Sequence, residues 1–255
     1  MGTLPIILRR GGPGPPDPDI MQIEILPALA DNYIYALIDG TAATFIDPGA
    51  PAPVQALLQR RNLRLHTILL THAHGDHIAG AAPLKARSGC TVIGPHTSGI
   101  PGLDREVREG DMITVPGADL RALSTPGHLA VHLSYHSAAH AALFCGDTLF
   151  AAGCGRIMGS TAATLWNSLC KLRALPPETK VYGGHEHTVD NLEFAAHVEP
   201  ENTAIAERLA AARRCRAQGL PTIPSTLALE CQTNPFLRAK DAETFADLRR
   251  RKDQW

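Results

Sequence analysis

Thr71-His72-Ala73-His74-Gly75-Asp76-His77 places three imidazoles and a carboxylate directly after the apolar run Leu65-His66-Thr67-Ile68-Leu69-Leu70. The run has the length and composition of a buried strand. The cluster therefore falls at the strand's C-terminal end, where side chains project into a loop rather than onto one helix face. His72 and His74 are two positions apart, which is strand spacing and not the i, i+4 spacing of a helical metal motif. Neutral imidazoles are common nitrogen ligands for zinc and iron, and a carboxylate offsets part of a cation's charge. Any fold for this chain must open that strand end onto a metal-binding site.

The rest of the composition narrows the class. With 255 residues and 44% hydrophobic content, the chain can fill one large domain or a core domain with an appendage. A formal net charge of -1 supplies no general pull toward nucleic acid or anionic membrane, which leaves a small-molecule substrate as the expected partner. The six cysteines form no CxxC pair and no framework spacing, so they are expected as reduced thiols. No window approaches the roughly 18 apolar residues of a membrane span. Leu4 to Leu8, followed by Arg9 and Arg10, is too short for an export signal. A cytoplasmic monomer is expected. Residues 9–19 carry too much Gly and Pro to pack, so residues 1–20 are expected to be a disordered extension whose deletion spares folding and activity.

Strands are predicted at Gln22 to Leu26, Tyr33 to Ile38 and Ala43 to Ile46, with a turn at Asp39-Gly40. A helix is expected over Val54 to Gln59, and a second over Pro83 to Ser88 ended by a left-handed Gly89. Further strands are expected at Cys90 to Ile93, Met112 to Val115, Leu120 to Ser124, Val131 to Tyr135, Ala141 to Cys145 and Lys180 to Tyr182. Leu165, Leu169 and Leu172 give a helical stripe over Thr161 to Ala174, capped by Ser160 or Thr161. After Glu186 the pattern turns helical, over Asn191 to His197, Asn202 to Gln218 and Ala242 to Lys252.

Other ligands should sit at equivalent strand ends, and three Gly-flanked candidates do: Pro126-Gly127-His128, Cys145-Gly146-Asp147 and Gly183-Gly184-His185. With these residues the sequence resembles the metallo-β-lactamase superfamily and, within it, the glyoxalase II (hydroxyacylglutathione hydrolase) family. The likeness extends from Met21 to Trp255 through Asp31-Asn32-Tyr33, Gly153-Cys154-Gly155-Arg156, Gly184-His185-Glu186, His197-Val198-Glu199-Pro200, Asn234-Pro235-Phe236 and Arg249-Arg250-Arg251-Lys252-Asp253. The resemblance implies an α/β fold, an αββα sandwich with a helical C-terminal domain. Residues 21–185 would form the catalytic domain and residues 186–255 the substrate-binding one.

It also implies two divalent metal ions, zinc first, with iron or manganese suited to the same donors. His72, His74 and His128 would hold one ion, Asp76, His77 and His185 the other, and Asp147 would bridge them. Coordination lowers the pKa of water toward about 7, making a metal-bound hydroxide the expected nucleophile. A thioester suits such a site, because a thiol with pKa near 8.5 leaves as thiolate with little proton assistance. The family likeness places Arg156, Arg249 and Lys252 against the carboxylates of a glutathione thioester. Met158 stands where the family usually has an aromatic residue, and His187 where it usually has Tyr; His187 is read as a substrate contact. His185 lies beside these groups, and Asn191 and His197 are further candidates to touch substrate. Two rival activities fit the cluster: a single-iron persulfide dioxygenase, and a hydrolase of another thioester or a lactone.

Overall fold

The computed structural model describes residues 21–96 and 99–255, and the expectation for residues 1–20 lies outside the described residues. The first sheet runs in the order β1 (Gln22–Ala28), β2 (Asn32–Asp39), β3 (Ala42–Ile46), β4 (Arg64–Leu69), β5 (Thr91–Pro95) and β6 (Arg105–Val107). It opens as an antiparallel meander and becomes parallel from β3 onward. At the β2–β3 turn Gly40 takes φ of 54°, a conformation open to glycine at little cost.

The second sheet contains β7 (Met112–Val115), β8 (Ala118–Ser124), β9 (Leu133–Ser137) and β10 (Ala142–Gly146), and then β13 (Lys180–Gly183) and β14 (Ser225–Thr226). Between β10 and β13 a small ribbon pairs β11 (Leu149–Phe150) with β12 (Gly153–Cys154). β10 and β13 pair in parallel, so both end at the same edge of the sheet.

Helices cover the outer faces. On the first sheet, α1 (Pro51–Arg61) and α3 (Ala81–Ser88) bury Val54, Leu57 and Leu84 against Ile34, Phe45 and Ile68. α2 (Gly75–Ile78) is a short turn at the strand edge. On the second sheet, α4 (Ala162–Arg173) presents the expected Leu165, Leu169, Leu172 stripe to Leu143 and Val181, and Thr161 caps it by accepting from the Thr164 N–H. The C-terminal helices are α5 (Thr188–Val198), α6 (Thr203–Ala217), α7 (Leu227–Thr233), α8 (Pro235–Arg238) and α9 (Ala242–Asp253). Phe194, Phe236 and Phe245 from α5, α8 and α9 join the core under α4.

The inter-sheet core joins Tyr35, Leu37, Ile46 and Leu69 of one sheet to Leu120, Tyr135, Phe144 and Tyr182 of the other. Alternation of inward and outward side chains along β2 and β4 explains why each strand feeds both this core and a helix-covered one. The result is an αββα sandwich with helices continuing C-terminally. All six cysteines are free thiols. No helix among the described residues is long and apolar enough to cross a membrane.

Candidate metal centre

Leu70 and Thr71, both fully buried, carry the chain from β4 into the His cluster. The sequence reading places the whole cluster in a loop, and the structure corrects this for its second half. Asp76 and His77 lie on α2, with His74 as its extended N-cap residue. The turn forms because the Ile78 N–H bonds the His74 carbonyl and the Ala79 N–H that of Gly75, satisfying groups that a loop at a strand end would leave open. His128 follows β8, Asp147 follows β10 and His185 follows β13, so ligand candidates from both sheets meet at one edge.

The side chains converge in two sets. In the first, His74 Nδ1 lies 3.1 Å from His72 Nε2 and 2.9 Å from His128 Nε2, and Asp147 Oδ2 lies 3.4 Å from His128 Nε2. In the second, His77 Nε2 and His185 Nε2 are 3.3 Å apart, with Asp76 Oδ2 at 3.6 Å and 3.4 Å from them. Asp147 reaches both sets, its Oδ1 3.4 Å from His77 and its Oδ2 3.5 Å from His185.

The outward nitrogens explain why these rings face one another. His72 Nδ1 donates to Thr71 Oγ1 at 2.9 Å, and that hydroxyl donates to Asp47 at 2.6 Å. His77 Nδ1 donates to Asp47 at 3.0 Å, His128 Nδ1 to the Arg156 carbonyl at 2.8 Å, and His185 Nδ1 to Asp31 at 2.8 Å. With Nδ1 held as the donor, the neutral form of each ring presents its Nε2 lone pair inward, and lone pairs about 3 Å apart repel unless a proton or a metal cation lies between them. Among the described residues, Asp147 Oδ1 is buried with no hydrogen-bond partner. The donor set therefore fits divalent metal ions, with imidazole and carboxylate chemistry common to zinc, iron and manganese.

Protonation follows the same charges. Burial alone would raise the Asp147 pKa, yet His77, His185 and His72 hold it well below the usual carboxylate range. Burial opposes charge on His77, but Asp147 and Asp47 raise its pKa well above the ordinary value. His72 is shifted down by burial and by His77 and His132.

His132 was not counted among the ligands, and the structure gives it a supporting place. Its ring stacks on His72 at 4.8 Å, and its Nε2 accepts the Asp147 N–H at 3.2 Å. Burial lowers its pKa to about 3, so it stays a neutral acceptor that fixes the Asp147 backbone. Asp31, Asp47 and Thr71 were likewise missed as orienting groups. The only signal was position: two acids and a hydroxyl beside strand ends, where Asp47-Pro48-Gly49 resembles an ordinary turn.

A cleft of about 490 Å³ opens on the ligand cluster, and Arg156, Met158, His187, Arg249 and Lys252 line it together with His128, Asp147 and His185. Met158 is exposed, and its N–H donates to the His128 carbonyl at 2.8 Å. His187 stacks on His185 with ring centroids 5.0 Å apart and planes 2° apart. Burial and the neighbouring His185 lower its pKa. Arg249 is buried; its Nη1 donates to the Cys154 carbonyl at 3.0 Å and its Nη2 to Asp253 at 2.9 Å. Arg156 is the most open of the cations, 3.6 Å from Asp253, and Lys252 pairs with Asp190. Asn191 also lines the cleft, whereas His197 packs on Trp255.

The sandwich with a two-set His/Asp edge defines a class, and the model of the metallo-beta-lactamase superfamily matches residues 30–185. The model described as "Hydroxyacylglutathione hydrolase C-terminus" matches residues 186–255. The hydroxyacylglutathione hydrolase of Methylococcus capsulatus is 43% identical over 252 residues, covering 92% of this chain and 98% of that protein. The one from Halorhodospira halophila is 48% identical over 233 residues, covering 90% and 89%. The chain belongs to the hydroxyacylglutathione hydrolase family. Among solved structures, ETHE1 from Myxococcus xanthus superposes with a TM-score of 0.69 at 27% identity, covering 91% of this chain and 90% of that one. The di-iron-bound form of TTHA1623 gives a TM-score of 0.61 at 27% identity, covering 83% and 98%.

Proposed function

We propose that the chain hydrolyses S-(2-hydroxyacyl)glutathione thioesters such as S-D-lactoylglutathione, releasing glutathione and a 2-hydroxy acid, here D-lactate, as a step of methylglyoxal detoxification. The observation that carries this is the adjacency of the two ligand sets, which share Asp147, to a cleft lined by three cations. In the proposed assignment, His72, His74 and His128 hold one divalent ion, Asp76, His77 and His185 the other, and Asp147 serves both. Bound there, the ions would acidify a water toward pKa about 7 and polarise the thioester carbonyl. Zinc is the proposed metal, with iron or manganese compatible, and the proposed working form is a cytoplasmic monomer.

The chain's own groups do the rest. Asp47, Asp31 and the Arg156 carbonyl fix the imidazole tautomers so that Nε2 faces inward. Asp76, oriented by the Asn32 amide at 2.9 Å, adds negative charge on the second side. Arg156, Arg249 and Lys252 supply charge for the glutathione carboxylates, with His187 and Met158 flanking the path to the metal edge. Burial pushes the Cys154 thiol up, and that of Cys145 beyond the physiological range, so neither acts as a nucleophile. The test is metal content of purified protein together with turnover of S-D-lactoylglutathione. Two ions per chain with thioester hydrolysis is expected. One iron per chain with oxygen consumption on glutathione persulfide and no hydrolysis would replace this reading with the dioxygenase.

A further inference from the structure

The wall of the cleft is a turn that its own sequence does little to hold. Between β11 and β12, Ala152 is fully buried with φ of 56°, a left-handed conformation that a residue bearing a β-carbon rarely adopts. Its polar groups are bound by side chains from the C-terminal segment. The Asn234 amide donates to the carbonyls of Phe150 at 3.3 Å and Gly153 at 3.0 Å, and Asn191 donates to that of Ala151 at 3.1 Å. Glu230, fully buried, accepts the Ala152 N–H at 2.8 Å, and Arg208 balances its charge.

Asn234 has only one orientation available. Its Oδ1 accepts the Phe236 N–H at 3.1 Å, while its Nδ2 faces three oxygens, those of Phe150, Gly153 and Glu230. A flipped amide would set oxygen against oxygen at each. What the turn carries is functional. The Phe150 ring packs edge-on to His185 at 5.8 Å and His187 at 5.3 Å. Beyond Cys154 the chain passes Gly155, where a β-carbon would lie 2.0 Å from the Asp147 carbonyl oxygen, and reaches the Arg156 carbonyl that accepts from His128.

We propose that Asn234, oriented by Glu230, is a positioning residue of the substrate cleft: its amide fixes the Phe150–Cys154 turn and so places the Arg156 wall and the Phe150 ring relative to the metal edge. The proposal rests on the thioester-hydrolase reading for its kinetic arm only. Asn234→Ser is the informative variant, because a serine hydroxyl keeps a cap for the Phe236 N–H but cannot reach the two carbonyls. The comparison is Phe45→Leu, which loosens the core on the far side of the first sheet, where Phe45 packs with Val54 and Leu57.

In fully metal-loaded protein, Asn234→Ser should raise KM for S-D-lactoylglutathione by about fivefold or more while kcat changes less, since small displacements of a positioning wall cost rate and affinity steeply. Phe45→Leu should leave KM unchanged. Hydrogen exchange at the Ala152 amide should accelerate in Asn234→Ser and not in Phe45→Leu. Unchanged KM with unchanged exchange at Ala152, or equal KM shifts in both variants, would overturn the proposal. If the wild type fails to hydrolyse the thioester, the activity reading falls and the exchange measurement alone decides the clamp. Should Asn234→Ser not fold, Glu230→Gln carries the same readouts, with faster exchange at Ala152 expected and unchanged exchange overturning it.

Discussion

A β-carbon added to Gly184 would lie 2.4 Å from Asp147 Oδ1 and 2.8 Å from His77 Cε1. Neither neighbour can give way without leaving its proposed ligand set, so Gly184→Ala should lose metal before it loses fold. The strain is on the order of 1–3 kcal/mol, as for overpacked sites. Metal content well below that of the wild type, with an unchanged far-ultraviolet spectrum, is the expected result. Asp47 acts one bond further out. It fixes His77 directly and His72 through Thr71, so Asp47→Ala should weaken metal affinity by about 10- to 100-fold, measured by competition with a chelator. Arg249 faces two ways. Arg249→Ala should raise KM for the glutathione thioester and also lower stability by about 1–3 kcal/mol, because the buried Cys154 carbonyl loses its donor. An effect on stability with no change in KM would restrict Arg249 to holding the wall.

The strands that end in ligands were legible because apolar runs stop at Gly-flanked polar residues, and β4, β8, β10 and β13 all end beside the expected His or Asp. Elements held only by tertiary contacts were not. β14 is two residues paired to β13, β6 is three residues paired to β5, and the β11–β12 turn depends on Asn234 and Glu230 from far along the chain. α2 escaped notice because four residues show no period, and a His-rich segment gives no apolar stripe. Of the candidate site, the residue types that bind metals stand out in sequence, whereas the acids that orient them look like turn residues. Long-range ties of that kind also set the acid response. Glu186 accepts from Tyr33 at 2.7 Å and from the Thr222 N–H at 2.9 Å, joining β2 to the segment after α6. Burial would raise its pKa, but these bonds bring it below the usual value. A depressed carboxylate stabilises the fold fully above the unfolded pKa of about 4.3 and loses that contribution as pH falls through the folded value. Glu186→Gln should therefore be less stable than the wild type by about 1–3 kcal/mol near pH 7, with the gap closing toward pH 3 in urea unfolding.

At the scale of the whole molecule the proposed ligands come from both layers of the sandwich. His72, His74, Asp76 and His77 extend from the first sheet, and His128, Asp147 and His185 from the second. Ions bound between them would tie the two sheets together at one edge, while the apolar core from Tyr35 and Leu69 to Phe144 and Tyr182 joins them behind it. Without the ions, the first-sheet and second-sheet side chains at that edge are left with direct cross-layer contacts such as that of Asp147 to His77, at 3.4 Å. A ligand present at about 1,000 times its dissociation constant stabilises the folded state by about 4 kcal/mol. For a chain of this size each kcal/mol moves Tm by about 2–4 °C. Chelation should thus lower Tm by about 8–16 °C, with the sheet edges near β4 and β10 becoming exchange-labile before the helix-covered faces. Adding back zinc should restore both Tm and turnover in parallel. A chelated protein that keeps its full Tm while losing all turnover would mean that the ions serve chemistry alone and that the core by itself holds the sandwich closed.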